Sequence, residues 1–137
     1  MLKQGKKEQK RPSKPREFRT SSGFRVLVGR NNRQNDQLTM KEADHRDIWF
    51  HTQKIHGSHV ILCSGGTDVD DDTIVEAAMI AAWYSQARES GNVPVDYTPV
   101  KFIKKPAGGR PGMVIYHTYK TVNVTPSEAF VKERKVK

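Results

Sequence analysis

The stretch TIVEAAMIAAWYSQARE, residues 73–89, is the clearest helical pattern in the chain and governs how the rest can pack. Its apolar residues and alanines fall on neighbouring faces of a helix with 3.6 residues per turn. The small side chains permit close packing against a sheet. Thr73 and Glu76 match a capping box at the start, and Gly91 is placed to end the helix. We therefore predict a helix over 73–89.

An acidic cluster precedes this helix, with Asp68 followed by Asp70, Asp71 and Asp72. Carboxylates at a helix N-terminus interact favourably with the helix dipole. A divalent metal ion on these four side chains is the alternative interpretation. Acidic residues before a helix are far commoner than a metal site, so we expect no metal here.

Short runs rich in apolar and β-branched residues flank the long helix and predict strands. A short helix is predicted at 34–43, and the segment 91–99, with Pro94 and Pro99, is interpreted as a linker. The strands are predicted at 24–28, 48–51, 59–63, 100–103, 113–117 and 120–124. This order predicts one α+β domain with a mostly antiparallel sheet, one long helix and one short helix.

The net charge of +9 is concentrated at the two ends of the 137-residue chain. We expect residues 1–17 to be a disordered basic arm, 18–127 the folded domain and 128–137 a basic tail. Such an arm strengthens phosphate binding without sequence preference, or alternatively only aids solubility. No apolar run is long enough to span a membrane, no secretory signal is visible, and Cys63 is the single cysteine. These features predict a cytoplasmic domain.

A glycine, a cation and several amides are concentrated where the first strand gives way to the short helix. The glycine permits close approach of a ligand, a helix N-terminus favours an anion, and amides can recognise base edges. The pattern predicts a phosphate and base-edge site, with an ordinary turn as the alternative. The residues concerned are Gly29, Arg30, Asn31, Asn32, Asn35, Asp36 and Lys41.

A second candidate surface lies on the next two strands. Strand alternation puts Asp47, Trp49 and His51 on one face, opposite Ile48 and Phe50. If His59 faces the same way, these rings can stack a base. The alternative, left open by the sequence, places Trp49 in the core and gives the histidines internal hydrogen-bond partners.

The loop 104–112 is the third candidate, because Lys104, Lys105 and Arg110 lie among prolines and glycines. Such a loop fits phosphate contact, or it is a solvated surface loop. Catalysis is not indicated, because no pattern positions paired carboxylates, and Cys63 in an apolar run should be inert. The histidine spacings do not resemble a zinc site, so we expect no cofactor and no metal.

Several motifs in order resemble the NFACT-R family, the RNA-binding domain of ribosome quality-control factors. The opening motif is Gly29-Arg30-Asn31-Asn32-x-x-Asn35-Asp36, and the second is Asp47-x-Trp49-x-His51 followed by Gly57-Ser58-His59. The match continues through Ala81-Ala82-Trp83-Tyr84, Lys104-Lys105-Pro106 and Val124-Thr125-Pro126. It departs from the family at 53–56, where a basic residue and a proline are often found, so a phosphate contact expected near Gln53 is transferred to Lys54.

The resemblance implies a non-catalytic domain that binds tRNA and the large ribosomal subunit during rescue of stalled ribosomes. NFACT-R usually closes a longer protein of the RqcH or NEMF type, in some bacteria called fibronectin-binding protein A. We therefore expect either an excised C-terminal domain or a stand-alone homologue. The alternative functions are an RNA-binding accessory to tRNA modification and a fibronectin-binding adhesin. The predicted RNA-binding residues are Arg25, Arg30, Asn31, Asn32, Asn35, Asp36, Lys41, Asp47, Trp49, His51, Lys54, Ser58, His59, Lys104, Lys105 and Arg110.

Overall fold

The computed structural model describes residues 13–136, and its named strands form one six-stranded antiparallel sheet. In chain order the strands are β1 Arg16–Arg19, β2 Arg25–Val28, β3 Ile48–Thr52, β4 Val60–Leu62, β5 Val93–Pro99 and β6 Lys120–Val124. Their order across the sheet is β1-β2-β4-β3-β5-β6. The predicted α+β class with a mostly antiparallel sheet is confirmed.

Three α-helices accompany the sheet within the described part of the chain. They are α1 Asn32–Asp36, α2 Asp71–Trp83 and α3 Glu128–Arg134. The first runs directly into a π-helix, Gln37–Glu42, and β5 runs into a 3₁₀ turn, Val100–Phe102. No helix among these is long and apolar enough to cross a membrane.

The main core lies between α2 and one face of the sheet. Alanines on α2, among them Ala77, Ala78 and Ala81, are fully or almost fully buried there and allow the helix to approach the strands closely. Phe50 on β3 and Phe18 on β1 fill the remaining volume and are completely buried. The small residues of the opening stretch therefore have the packing role that the sequence predicts.

A second, smaller core covers the opposite face of the sheet. It contains Leu38 from the π-helix, Val100 and Ile103 from the segment after β5, and Trp49 and Ile61 from the central strands. Both faces of the central strands are thus covered, which explains why Val60–Leu62 is apolar at every position.

The long helix begins two residues before its predicted start and ends six residues before its predicted end. It begins at Asp71, with Asp70 as the N-cap accepting the Thr73 N–H at 2.9 Å, and it ends at Trp83. The backbone beyond it turns to contact the segment before β4: the Ser58 N–H donates to the Tyr84 carbonyl, and the Gln86 N–H donates to the His56 carbonyl. These non-local bonds replace the helical bonds that would have extended the helix to residue 89.

Two strand predictions after α2 were wrong. The predicted linker contains β5, and the predicted strand 100–103 is instead the 3₁₀ turn. The sequence of β5 lacks the alternation of apolar and polar residues that predicts a strand, because Asp96 and Thr98 are polar and yet buried. The predicted strand at 113–117 is reduced to a single bridge between Lys104 and Ile115.

The ends of the domain also differ from the predicted boundaries. Strand β1 takes in Arg16 and Glu17, which were assigned to the disordered arm, and α3 forms within the predicted tail. Arg134 of α3 holds the helix in place through a 3.0 Å ion pair with Glu76 of α2. Residues 1–12 of the predicted arm and the last residue of the tail lie outside the described residues.

Candidate nucleic-acid interface

Hydrogen bonds among Gly29, Asn35 and His59 join α1 to the start of β4. The side-chain oxygen of Asn35 accepts the His59 backbone N–H at 3.1 Å, and the Gly29 N–H donates to the His59 carbonyl at 3.0 Å. A side chain at position 29 would overlap the Asn35 amide. Gly29 and Asn35 of the predicted site are therefore first of all structural, because together they satisfy both backbone groups of His59.

The remaining residues of the opening motif form the N-terminus of α1. Asn31 is the N-cap and accepts the Gln34 N–H at 2.9 Å, while the Gln34 side chain accepts the Arg30 N–H at 2.7 Å. This reciprocal arrangement follows the logic of a capping box. It leaves the side chains of Arg30 and Asn32 exposed at the surface.

Lys105 links the loop 104–112 to α1 through hydrogen bonds. Its ammonium donates to Asp36 at 2.8 Å and to the carbonyls of Arg110 and Met113, and the Gly112 N–H donates to the same Asp36 carboxylate. Burial alone would raise the pKa of Asp36, but these hydrogen bonds outweigh it and the pKa lies below its ordinary value. Lys105 and Asp36 thus neutralise each other, although both belong to the predicted RNA-binding set.

The rings of Trp49 and His59 are buried, so the predicted stacking surface is not formed by them. Trp49 is 0 % exposed and His59 2 %. The His59 Nε2 contacts the Gly112 carbonyl at 3.0 Å, which requires a proton there, so Nδ1 accepts from the Thr39 hydroxyl at 2.8 Å. Desolvation and the nearby His51 lower the pKa of His59 to about 4, which keeps the ring neutral. The structure therefore selects the alternative in which these rings are internal.

Three depressions lie next to one another on this part of the surface, and Asn32 and His56 line all three. We call this surface the basic groove. At one end it is bounded by the turn after α2 and at the other by the loop 110–113. The cationic side chains that line it are Arg16, Arg30, Arg33, Lys54, Arg88 and Arg110.

The charge of the basic groove is uncompensated at its surface. Among the described residues that line it there is no aspartate or glutamate. Carboxylates do line two other depressions, for example Asp44 and Asp47 in one and Asp70 and Asp72 in the other. The acidic N-terminus of α2 is separated from the groove by the length of the helix, about 20 Å for 13 residues. The fold thus segregates charges that nearly cancel in the sequence of the domain.

The groove gathers only some of the predicted RNA-binding residues. Arg30, Asn31, Asn32, Ser58, Lys54 and Arg110 line it, together with the partly or fully buried Asn35, Trp49, His51 and His59. Lys54 adopts a left-handed backbone, φ 59°, in the turn after β3, and its side chain is exposed.

Six predicted residues do not line the groove: Asp36 and Lys105, which pair with each other as described above, and four others. Arg25 pairs with Glu17 at 3.0 Å beside a different depression. Asp47 is buried and accepts the backbone N–H groups of Asp44 and Gly65. Lys41 and Lys104 are exposed but do not line the groove.

The sequence prediction missed the contribution from β1 and from the end of α2. The Arg16 guanidinium lies 5.0 Å from the centre of the Tyr84 ring, and Arg88 lies 4.5 Å from that of Trp83, which are cation–π distances. Both arginines border the groove. The local sequence around Arg16 and Arg88 does not predict this position. Strand β1 and the early end of α2, neither of which was predicted, bring the two arginines to the groove.

Two of the chemical possibilities raised by the sequence, a metal site and a reactive thiol, can be compared with the described residues. Within residues 13–136, no cluster of three or more His, Cys, Asp or Glu side chains is placed to hold a metal ion. Burial raises the pKa of the Cys63 thiol to about 11, which leaves very little nucleophilic thiolate near neutral pH.

Residues 14–117 match the NFACT protein RNA binding domain. The chain belongs to this family. It is 47 % identical over 134 residues to the Rqc2 homolog RqcH of Bacillus subtilis, covering 96 % of this chain and 23 % of that protein. It is 30 % identical over 118 residues to the coiled-coil domain-containing protein 25 of Bos taurus, covering 82 % of this chain and 56 % of the relative.

A similar solved structure comes from the C-terminal part of the fibronectin/fibrinogen-binding protein of Streptococcus suis. The TM-score is 0.90 at 40 % sequence identity, over 95 % of this chain and 53 % of that one. This NFACT-R chain thus spans about a quarter of the length of its RqcH relatives. The family assignment confirms the resemblance noted in the sequence.

Proposed function

We propose that this NFACT-R domain binds RNA through the basic groove as the RNA-binding module of a ribosome quality-control factor. The observation behind this proposal is that six cationic side chains and, among the described residues, no carboxylate line the groove, whereas carboxylates line two other depressions. Such a surface releases counterions when it contacts phosphates, and the release favours binding. The RqcH relatives support the assignment to ribosome quality control.

The finer part of the proposal concerns the RNA. We infer that tRNA and the large ribosomal subunit are the partners and that the domain works in the cytoplasm without chemistry of its own. A groove bordered at both ends by arginines fits a folded RNA whose backbone crosses it. The amides of Asn31 and Asn32 lie between these ends and provide neutral donors and acceptors.

Fluorescence anisotropy with purified tRNA, followed by sedimentation with large ribosomal subunits, tests this proposal. The double variant Arg30→Ala/Arg88→Ala should weaken both interactions at least tenfold, because two phosphate contacts are lost. The slope of log affinity against log salt concentration should also fall by about one for each lost contact. Arg25→Ala removes one arginine charge outside the groove and is the matched control for the single variants Arg30→Ala and Arg88→Ala. Equal effects of Arg25 and groove substitutions would show that only net charge matters and would reject the groove.

A separate binding assay distinguishes RNA binding from adhesion. The structurally similar Streptococcus suis protein is named for fibronectin and fibrinogen. Nuclease-treated protein should therefore be tested on immobilised fibronectin. Binding that survives nuclease, in the absence of tRNA binding, would favour the adhesin interpretation over RNA recognition.

A further inference from the structure

The middle of the basic groove contains a pocket whose walls are aromatic and imidazole rings. It encloses about 430 Å³, within the range of roughly 300–1,000 Å³ typical of small-molecule sites. The rings form a ladder: Tyr116 meets Trp49 edge-on at 4.8 Å, and His51 stacks parallel to Trp49 at 5.6 Å. His51 and Tyr116 are partly exposed, whereas Trp49 lies fully buried behind them.

A buried amide supplies this pocket with an unused donor. Asn35 is 3 % exposed and lines the pocket, and its oxygen is committed to the His59 N–H. Because that partner is a backbone donor, the orientation of the amide is fixed and Nδ2 is the other group. Within residues 13–136 this Nδ2 makes no hydrogen bond, and the residue that carries it lines the pocket.

A second polar group in the same wall lacks a partner. The indole Nε1 of Trp49 is inaccessible to water and makes no hydrogen bond among the described residues. Asn32, exposed at the rim, adds an amide whose oxygen and nitrogen are both free of internal bonds in that region. Because Nε1 is out of reach of a ligand, the donors that the pocket offers are the amides of Asn32 and Asn35, which suit a planar ligand with acceptors on its edge.

We propose that this pocket binds a single unstacked nucleobase of an RNA whose phosphates are held by the groove cations. The inference rests on the proposed function and specifies which part of the RNA enters. Arg30 borders the groove on one side of the pocket, and Arg33 and Arg110 border it on the other. A backbone held at both sides would present its intervening base to the pocket.

The base and the phosphate make separable contributions in this arrangement. No arginine lines the pocket itself, and Lys54 is its single cation among the described residues. The pocket therefore recognises the ring and its edge more than the charge. An RNA duplex with one bulged nucleotide offers such a base, whereas a fully paired duplex hides every base in the stack.

The test compares an RNA duplex carrying one bulged adenosine with the same duplex carrying an abasic bulge. The wild-type chain should bind the abasic duplex about tenfold more weakly, the usual range for loss of one stacked base. In Asn35→Asp the acceptor for His59 is kept, whereas the Nδ2 donor is lost and a negative charge is added, so the preference for the base should fall. Asn31→Asp is the charge-matched control: it keeps the helix cap, and it should weaken both duplexes alike with the tenfold ratio unchanged.

The outcomes separate this inference from the proposed function. No binding of either duplex by the wild-type chain would reject RNA binding itself. Binding with no difference between bulged and abasic duplexes would leave RNA binding intact and overturn the base pocket. If Asn35→Asp does not fold, photocrosslinking of wild-type protein to 4-thiouridine at the bulge decides: crosslinks within 49–59 or 112–116 support the pocket, and crosslinks elsewhere refute it.

Discussion

The side chain of Asn35 lies in the space that any side chain at position 29 would need, so position 29 must be glycine while Asn35 keeps this place. The contact brings the strand-to-helix junction against β4 and puts the Asn35 oxygen on the His59 N–H. The opening motif is therefore a folding device as well as a candidate binding surface. The backbone that carries the exposed Arg30 and Asn32 is positioned by this buried pair, and the Arg30 side chain also donates to the Lys14 carbonyl.

Gly29→Ala should destabilise the domain by about 2 kcal/mol or more, because it displaces the Asn35 amide and leaves the buried His59 N–H without an acceptor. Denaturant unfolding measures the change. Gly91→Ala is the control, since nothing lies within 4 Å of its added methyl group. Combining Gly29→Ala with Asn35→Ala should cost clearly less than the sum of the two single losses; strict additivity would contradict the packing argument.

Lys105→Met should loosen the loop 104–113 without unfolding the sheet. The substitution removes three hydrogen bonds, to Asp36, Arg110 and Met113. Because the ion pair is partly exposed, we expect only about 1 kcal/mol of lost stability, with much faster amide exchange at Gly112. Lys104→Met is the control on the neighbouring exposed lysine. Equal exchange rates in the two variants would show that Lys105 does not fasten the loop.

Local patterns were sufficient to predict the central strands and the polar junction. The alternation around Trp49 and Phe50 correctly separates the two faces of β3, since side-chain direction depends only on strand geometry. The turn formers around Asn31 likewise form a helix cap, as short amides tend to do. Both inferences needed no knowledge of distant partners.

Non-local partners account for the errors. Asp96 is buried in β5 because Gln53, Tyr116 and Thr121 donate to it, and none of these bonds is visible in the local pattern. Lys105 likewise looked like a free phosphate ligand, but Asp36, 69 residues away, binds it. Exposure of a cation is a property of the fold, so the sequence could identify a basic loop without identifying which of its cations remain free.

Acidification should destabilise the domain as the pH falls from about 6.5 to about 4. The pKa of His59 is lowered to about 4 in the fold, mainly by desolvation, so in this window the unfolded chain binds a proton that the folded chain does not. A difference of that size corresponds to about 3 kcal/mol. Stability measured across this window should therefore rise with pH.

His59→Gln should flatten that pH dependence, because an amide can donate to Gly112 and accept from Thr39 without titrating. The slope between pH 4.5 and 6.5, roughly the window set by these two pKa values, is the quantity to compare, since the variant also changes absolute stability. Some slope should remain, as burial also lowers the pKa of His51. His45→Gln, on an exposed histidine, is the control; an unchanged slope in His59→Gln would contradict the assignment of the titrating group.

Cys63 should react slowly with iodoacetamide in the folded protein. Burial, with Asp47 nearby, raises its pKa to about 11, so at pH 8 the thiolate is scarcer than that of an ordinary cysteine by a factor of roughly 100. Alkylation of Cys63, measured by mass spectrometry, should therefore be roughly 100 times faster or more in urea than in buffer. The native rate should also climb about tenfold per pH unit up to the pKa, as long as the fold persists. A native rate that levels off near pH 8.5 would instead mean that the thiol is accessible and has an ordinary pKa, and would count against the packing of Cys63 on the second core.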